Sequence, residues 1–237
     1  MTTPTFLTAE WLNLLMLNYA VDPALLIPHV PTGTELDFFA GKTWLSLIGF
    51  QFNRTRVLGF AIPFHQNFEE VNIRFYVRRG QKRGAVFISE LVPKFAIAAV
   101  ARLAFNESYS RVPMSHAIQS RPDGEIANAE YSWGSGPSRC QMSIETAGEA
   151  FLPDEGSEAQ FITEHYWGYT KRSRGNTSEY GVQHPRWQVY PIQNFTVQAD
   201  FAALYGPAFA SLNARPPDSM LLAEGSAVSV STGARLP

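Results

Sequence analysis

Cysteine, charge and metal-ligand spacing are all scarce in this chain, and each shortage removes a class of function. Cys140 is the only cysteine among 237 residues, so no intrachain disulfide can form and a reducing, cytoplasmic setting is expected. Charged residues make up only 17%, and the net charge of −2 provides no basic surface for nucleic acid or an anionic membrane. Lys171, Arg172 and Arg174 follow Tyr166, Trp167 and Tyr169, but one short basic cluster in a net-acidic chain reads as a solvated loop. The five histidines, at 29, 65, 116, 165 and 184, form no H-x-x-x-H pair, so no metal is expected. No G-x-G-x-x-G opens a dinucleotide site, no G-x-S-x-G marks a hydrolase elbow, and no cofactor is expected. The N-terminus has no basic region ahead of a long apolar run, and residues 11–21 are too short to span a bilayer. Internal repeats and low-complexity linkers are absent, and one domain over 1–237 is expected.

Apolar residues, by contrast, reach 45% and aromatics 13%, enough for a large core and far from the composition of disorder. The most informative stretch is 70–94. It reads E-V-N-I-R-F-Y-V, then R-R-G-Q-K-R-G, then A-V-F-I-S-E-L-V-P-K. Strand side chains alternate with a period of two, so Val71, Ile73, Phe75 and Val77 share one face. Glu70, Asn72, Arg74 and Tyr76 share the other. That second face is either the wall of a cavity or a solvated surface.

Around this hairpin the remaining elements can be placed. Thr8 caps a helix expected over 9–18, and Asp22-Pro23 opens a short turn or helix. Residues 43–52 read as a strand apolar on both faces, followed by a loop over 53–68. The hairpin strands span 70–78 and 84–92, with Gly80 and Gly84 available for positive φ. An alanine-rich helix covers 94–105. Strands fill 111–152, with turns at Pro122-Asp123-Gly124 and at 134–137. Ser157 caps a further helix that carries Phe161, Glu164, His165 and Tyr169, and the tail reads as a final strand pair. The sum is an α+β fold, mainly antiparallel β.

Several of these segments together resemble a known family. E-V-N-I-R-F-Y-V, a glycine turn, a strand and an alanine-rich helix ending F-N-E-S-Y look like the YqjF-like bacterial proteins of unknown function. So do D-P-A-L-L-I-P-H-V-P-T-G-T-E-L-D, F-I-T-E-H-Y-W-G-Y-T at 161–170 and H-P-R-W at 184–187. The resemblance runs from about residue 11 to the C-terminal strand. Such proteins are similar in fold to acetoacetate decarboxylase. The resemblance therefore implies a closed, twisted β-barrel with peripheral helices, and an inward-facing polar row at Glu70, Asn72, Arg74 and Tyr76.

Acetoacetate decarboxylase works through a lysine Schiff base, whose amine must be neutral to attack a ketone. Pro93-Lys94 matches the proline that precedes the decarboxylase lysine, but Phe95 replaces the second lysine that follows it. An unperturbed lysine, with a pKa of about 10.4, is less than about 0.1% neutral at pH 7. Lys94 is either an imine-forming amine or a solvated lysine in a helix's first turn. Glu70 matches the decarboxylase glutamate and either orients a ligand, relays a proton or pairs with Arg74. Arg74 either clamps a ligand carboxylate or makes an internal salt bridge. Asn72 bonds backbone or ligand. Glu164, Tyr169 and His184 are further candidates for ligand contact, each with a packing role as its alternative.

Three readings follow. The first is a small-molecule-binding protein with a polar barrel cavity for a small carboxylated ligand, held partly by Arg74 and Glu70. The second is a decarboxylase-like lyase using Lys94. The third is a homo-oligomeric scaffold whose cavity is filled by side chains.

Overall fold

In the computed structural model, residues 4–93, 109–172 and 175–236 are described. The helix expected at 94–105, with Lys94 in its first turn, lies outside them. Sixteen strands follow in chain order: β1 (Thr5–Val21), β2 (Glu35–Leu36), β3 (Thr43–Val57), β4 (Phe60–Ala61), β5 (Phe68–Arg79), β6 (Lys82–Val92), β7 (Tyr109–Arg111), β8 (Met114–Ser120), β9 (Ile126–Trp133), β10 (Cys140–Thr146), β11 (Trp167–Lys171), β12 (Thr177–Gln183), β13 (Val189–Tyr190), β14 (Ile192–Gln198), β15 (Ser219–Ser231) and β16 (Ala234–Arg235). The described α-helices are short: α1 (Pro23–Leu26), α2 (Glu158–Thr163) and α3 (Phe201–Tyr205). None is long and apolar enough to cross a membrane.

The larger sheet runs β15–β1–β3–β5–β6–β11–β12, and β12 pairs in turn with β15 through Val182↔Val230 and Gln183↔Ser229. These pairings are antiparallel except β6–β11. A second sheet, β14–β10–β9–β8, is antiparallel throughout. Two cores result. One lies between the sheets, where Leu15, Leu17, Ile73 and Phe75 meet Tyr131, Trp133 and Met142. The other lies on the opposite face of the larger sheet and holds Leu14, Met16, Ile48, Phe50, Phe52 and Tyr76.

The segment expected to be helical at 9–18 is instead the middle of β1, hydrogen-bonded on both sides, to β15 and β3. Its apolar residues serve both cores, Leu14 and Met16 one, Leu15, Leu17 and Tyr19 the other. A strand buried on both faces loses its alternation, and a short apolar run then reads equally well as helix. The tail is likewise one long strand, β15, rather than a pair. Gly225 sits within it at φ +87°, packed against β1. The hairpin turn uses Gly80 (φ +59°), but Gly84 lies inside β6, where a β-carbon would stand 2.6 Å from the Trp167 carbonyl oxygen of β11.

The expected start at Asp22-Pro23 and the expected Ser157 cap are both present, whereas Thr8 lies within β1 and caps no helix. Asp22 accepts from the Ala24 amide at 2.8 Å ahead of Pro23. Ser157 accepts from the Gln160 amide, and the Gln160 side chain reaches back to accept from Gly156 N–H. Helix α2 ends at Thr163, however, so Tyr169 does not share a helical face with His165 or Tyr166; it lies on β11.

At Gly225 an added β-carbon collides with the Trp11 carbonyl and must adopt a left-handed backbone. Gly225→Ala is therefore expected to lower stability by about 2–4 kcal/mol in urea unfolding. A loss below about 0.5 kcal/mol would show that β1 and β15 can separate there at little cost.

Candidate functional site

Strand β5 sends its two rows of side chains into the two cores. Val71, Ile73, Phe75 and Val77 enter the inter-sheet core. Glu70, Asn72 and Arg74 line a cavity of about 100 Å³ on the other side. The polar row is thus a cavity wall rather than a solvated surface: Glu70 and Asn72 are each only 2% exposed. Because they stand two apart on one face, the Asn72 amide reaches Glu70 and donates to Oε1 at 2.8 Å. Tyr76 shares this face, but its hydroxyl is held by Ser46 Oγ at 2.7 Å, in a chain that continues to Asn18.

Glu90 joins the wall from β6, through a backbone irregularity. Arg74 stands opposite Phe87 but Ile73 stands opposite Ser89, so Ile88 is an extra residue in β6. Strict alternation from Phe87 would turn Ser89 inward and Glu90 outward. The bulge reverses the phase, placing Glu90 opposite Asn72, 2% exposed and on the cavity. Counting residues in the sequence could not reveal this, since no glycine or proline marks the position.

His165 completes the polar wall from the segment just after α2. Its ring stacks on Tyr76 with centroids 4.3 Å apart and meets Phe161 edge-on. Nε2 stands 3.7 Å from Asp37 Oδ2, beyond hydrogen-bond length, while Asp37 accepts from Arg83 Nε at 2.6 Å. Burial, with Arg83 and Arg74 nearby, pushes the His165 pKa down from 6.5 to about 4 against the opposing pull of Asp37. The imidazole is therefore neutral at pH 7 and offers one donor and one acceptor.

Arg74 brings a cation to the wall. Its Nη2 donates to the Ile162 carbonyl at 3.3 Å, and the guanidinium lies over the Tyr76 ring, 5.5 Å from its centroid. Among the described residues Arg74 Nε, Asn72 Oδ1 and both His165 ring nitrogens are buried without a hydrogen-bond partner. Buried polar groups are normally satisfied, so such a cluster on one cavity wall marks where a ligand or ordered water completes the bonding.

The other sequence candidates lie elsewhere. Glu164 accepts from Arg186 Nε at 2.5 Å. Tyr169 is buried in the inter-sheet core, its hydroxyl 3.5 Å from the Lys82 carbonyl. His184 stacks on Trp187 with centroids 4.0 Å apart, and its Nδ1 meets the Pro185 carbonyl oxygen at 2.8 Å. Lys94 lies outside the described residues. Among those residues no group of three His, Cys, Asp or Glu side chains is placed to hold a metal ion.

A family of uncharacterized conserved proteins, domain of unknown function 2071 (DUF2071), matches residues 8–227. The chain belongs to this family. Uncharacterized protein YqjF of Bacillus subtilis (strain 168) is 36% identical over 81 residues, a match spanning 33% of this chain and 33% of YqjF. Among solved structures, the enduracididine biosynthesis enzyme MppR complexed with pyruvate superposes with a TM-score of 0.70 at 12% identity, over 100% of this chain and 92% of MppR. An acetoacetate decarboxylase-like enzyme from Sphingomonas wittichii RW1 gives 0.66 at 12% identity, over 100% and 94%. The acetoacetate decarboxylase of Legionella pneumophila gives 0.67 at 10% identity, over 100% and 90%. The DUF2071 chain thus has the acetoacetate decarboxylase-like fold.

The neutral His165 sets a pH dependence. The unfolded chain takes up a proton near pH 6.5, whereas the folded imidazole resists it until about pH 4. Stability therefore falls as pH drops through that window, by about 2 kcal/mol between pH 7 and pH 5 from this group. The partly buried His29 and His184, also lowered, act in the same direction. His165→Gln is expected to flatten the slope in urea unfolding at the two pH values; an unchanged slope would mean that His165 is solvated.

Proposed function

We propose that this protein binds a small carboxylated organic molecule in the cavity beside β5, within a single domain whose larger sheet closes as a twisted barrel through the β12–β15 pairing. The observation that carries this reading is the cluster of unsatisfied polar groups on one wall, with Arg74 among them. A guanidinium is suited to a carboxylate because its parallel N–H groups match the two oxygens. Neutral His165 and the Asn72 carbonyl oxygen supply uncharged bonds for the rest of the ligand head. Glu70, bonded to Asn72, fixes the amide's orientation. The size fits as well: about 100 Å³ falls below the ~300–1,000 Å³ of pockets for drug-sized ligands. A structural neighbour at 12% identity has been solved with pyruvate, a ligand of this size and charge.

Calorimetric titration with pyruvate tests the reading. Arg74→Met is expected to weaken binding tenfold or more, in line with the loss of a charge-assisted hydrogen bond, while circular dichroism stays unchanged. Equal binding by the variant, or no binding by the parent protein, would count against it.

A second reading is favoured by the names of two structural neighbours, an acetoacetate decarboxylase and an acetoacetate decarboxylase-like enzyme, together with Pro93-Lys94. Here Lys94 forms an imine with a keto acid, losing water, and carbon dioxide then leaves as its electron pair moves into the protonated imine. Borohydride added with acetoacetate would reduce that imine to a stable amine adduct. Mass spectrometry is expected to find the adduct on Lys94 and to lose it in Lys94→Ala. No adduct with acetoacetate, or labelling that survives the substitution, removes this reading and leaves the binding reading intact.

A further inference from the structure

The charged, amide and imidazole groups of the cavity come from β5, β6 and the segment after α2. Glu70, Asn72 and Arg74 stand on β5, Glu90 on β6, and His165 next to them. In the order of pairings, β1, β12 and β15 are not bonded to β5 or β6, whereas β3 is the direct neighbour of β5 and sets Phe50 beside Glu70. Every described lining residue from β1, β3, β12 and β15 is aliphatic or aromatic, with Trp11, Phe50, Phe52, Val57, Val182 and Val230 among them and Tyr180 carrying the one hydroxyl. Trp11 meets Phe50 and Phe52 edge-on, with ring centroids 5.5 and 5.7 Å away. Three large rings therefore form one apolar surface. A single polar atom on this side is buried without a partner among the described residues: Trp11 Nε1, a neutral donor.

This division has a chemical consequence. A ligand whose carboxylate meets Arg74 must turn its remaining atoms toward the aromatic wall. A second carboxylate there would lose its water and meet no cation among the described residues that line the cavity, and burying an unpaired charge is heavily disfavoured. A methyl or methylene group would instead replace water against aromatic carbon. The volume sets a limit on length, since about 100 Å³ is smaller than the ~150 Å³ apolar cavity that accepts benzene.

We infer that the cavity selects a monocarboxylic acid with a short apolar tail and rejects dicarboxylic acids of similar length. This rests on the binding reading above, with Arg74 as the carboxylate partner. The acid head lies on the β5 side, and the tail lies against Trp11, Phe50 and Phe52.

Acetate, propionate, butyrate and succinate, titrated separately into the full chain by calorimetry, test the inference. Affinity is expected to rise about fourfold per methylene from acetate to butyrate. Succinate, which differs from butyrate by a second carboxylate in place of the terminal methyl, is expected to bind at least tenfold more weakly than butyrate. Trp11→Ala is expected to weaken butyrate more than acetate. If that variant does not fold, Trp11→Phe makes the same comparison with a smaller change in apolar area. Equal affinities for acetate and butyrate, or succinate binding as tightly as butyrate, would overturn the inference while leaving an Arg74-dependent carboxylate site standing. Failure of all four acids to bind would overturn the carboxylate reading itself, and the inference with it.

Discussion

Strand β5 has no face left for water, and this constraint organises the rest of the molecule. One row of its side chains closes the core between the two sheets, and the other forms the polar wall of the cavity. Moving the strand by one residue would exchange the rows, driving Arg74 and Glu70 among aliphatic side chains and leaving Ile73 and Phe75 in the cavity. The penalty for burying those charges in the wrong core fixes the register of β5 against β3 and β6. It thereby fixes where the cavity can form. The wall that carries the proposed binding groups is also the polar row of β5, a common compromise where stability and function share a strand.

Legibility from sequence followed a simple physical boundary. β5 could be read because its alternation of apolar and polar residues survives intact, one face polar and one apolar. The helix starts at Asp22-Pro23 and Ser157 could be read because a cap is a local bond between a side chain and the next turn's amide. β1 could not: its central residues are apolar on both faces, and only its pairing with β3 and β15, settled by residues far away in the chain, excludes a helix. His165 escaped for a related reason. Helix α2 stops at Thr163, and the ring's position depends on Tyr76, Phe161 and Asp37 from distant segments. The polar row was visible, but the apolar lining of the cavity was not, because it is assembled from β1, β3, β12 and β15, strands spread over most of the chain.

The structural neighbours share the sheet arrangement at only 10–12% identity, so the likeness lies in the path of the backbone. On that backbone this chain places an arginine beside an asparagine-bound glutamate, a neutral histidine stacked on tyrosine, and three aromatic rings that line the same cavity. Function has to be argued from those side chains, because one backbone supports many chemistries.

The extra residue at Ile88 bears on how relatives are compared. The bulge turns Glu90 inward and lengthens by one the stretch between Phe87 and the cavity-facing carboxylate. A relative with a regular strand here would present the equivalent carboxylate one position earlier. A gapless alignment would then set Glu90 against an outward-facing residue and suggest that the acidic group had been lost. Position across from Asn72, rather than distance along the chain, is what identifies its counterpart.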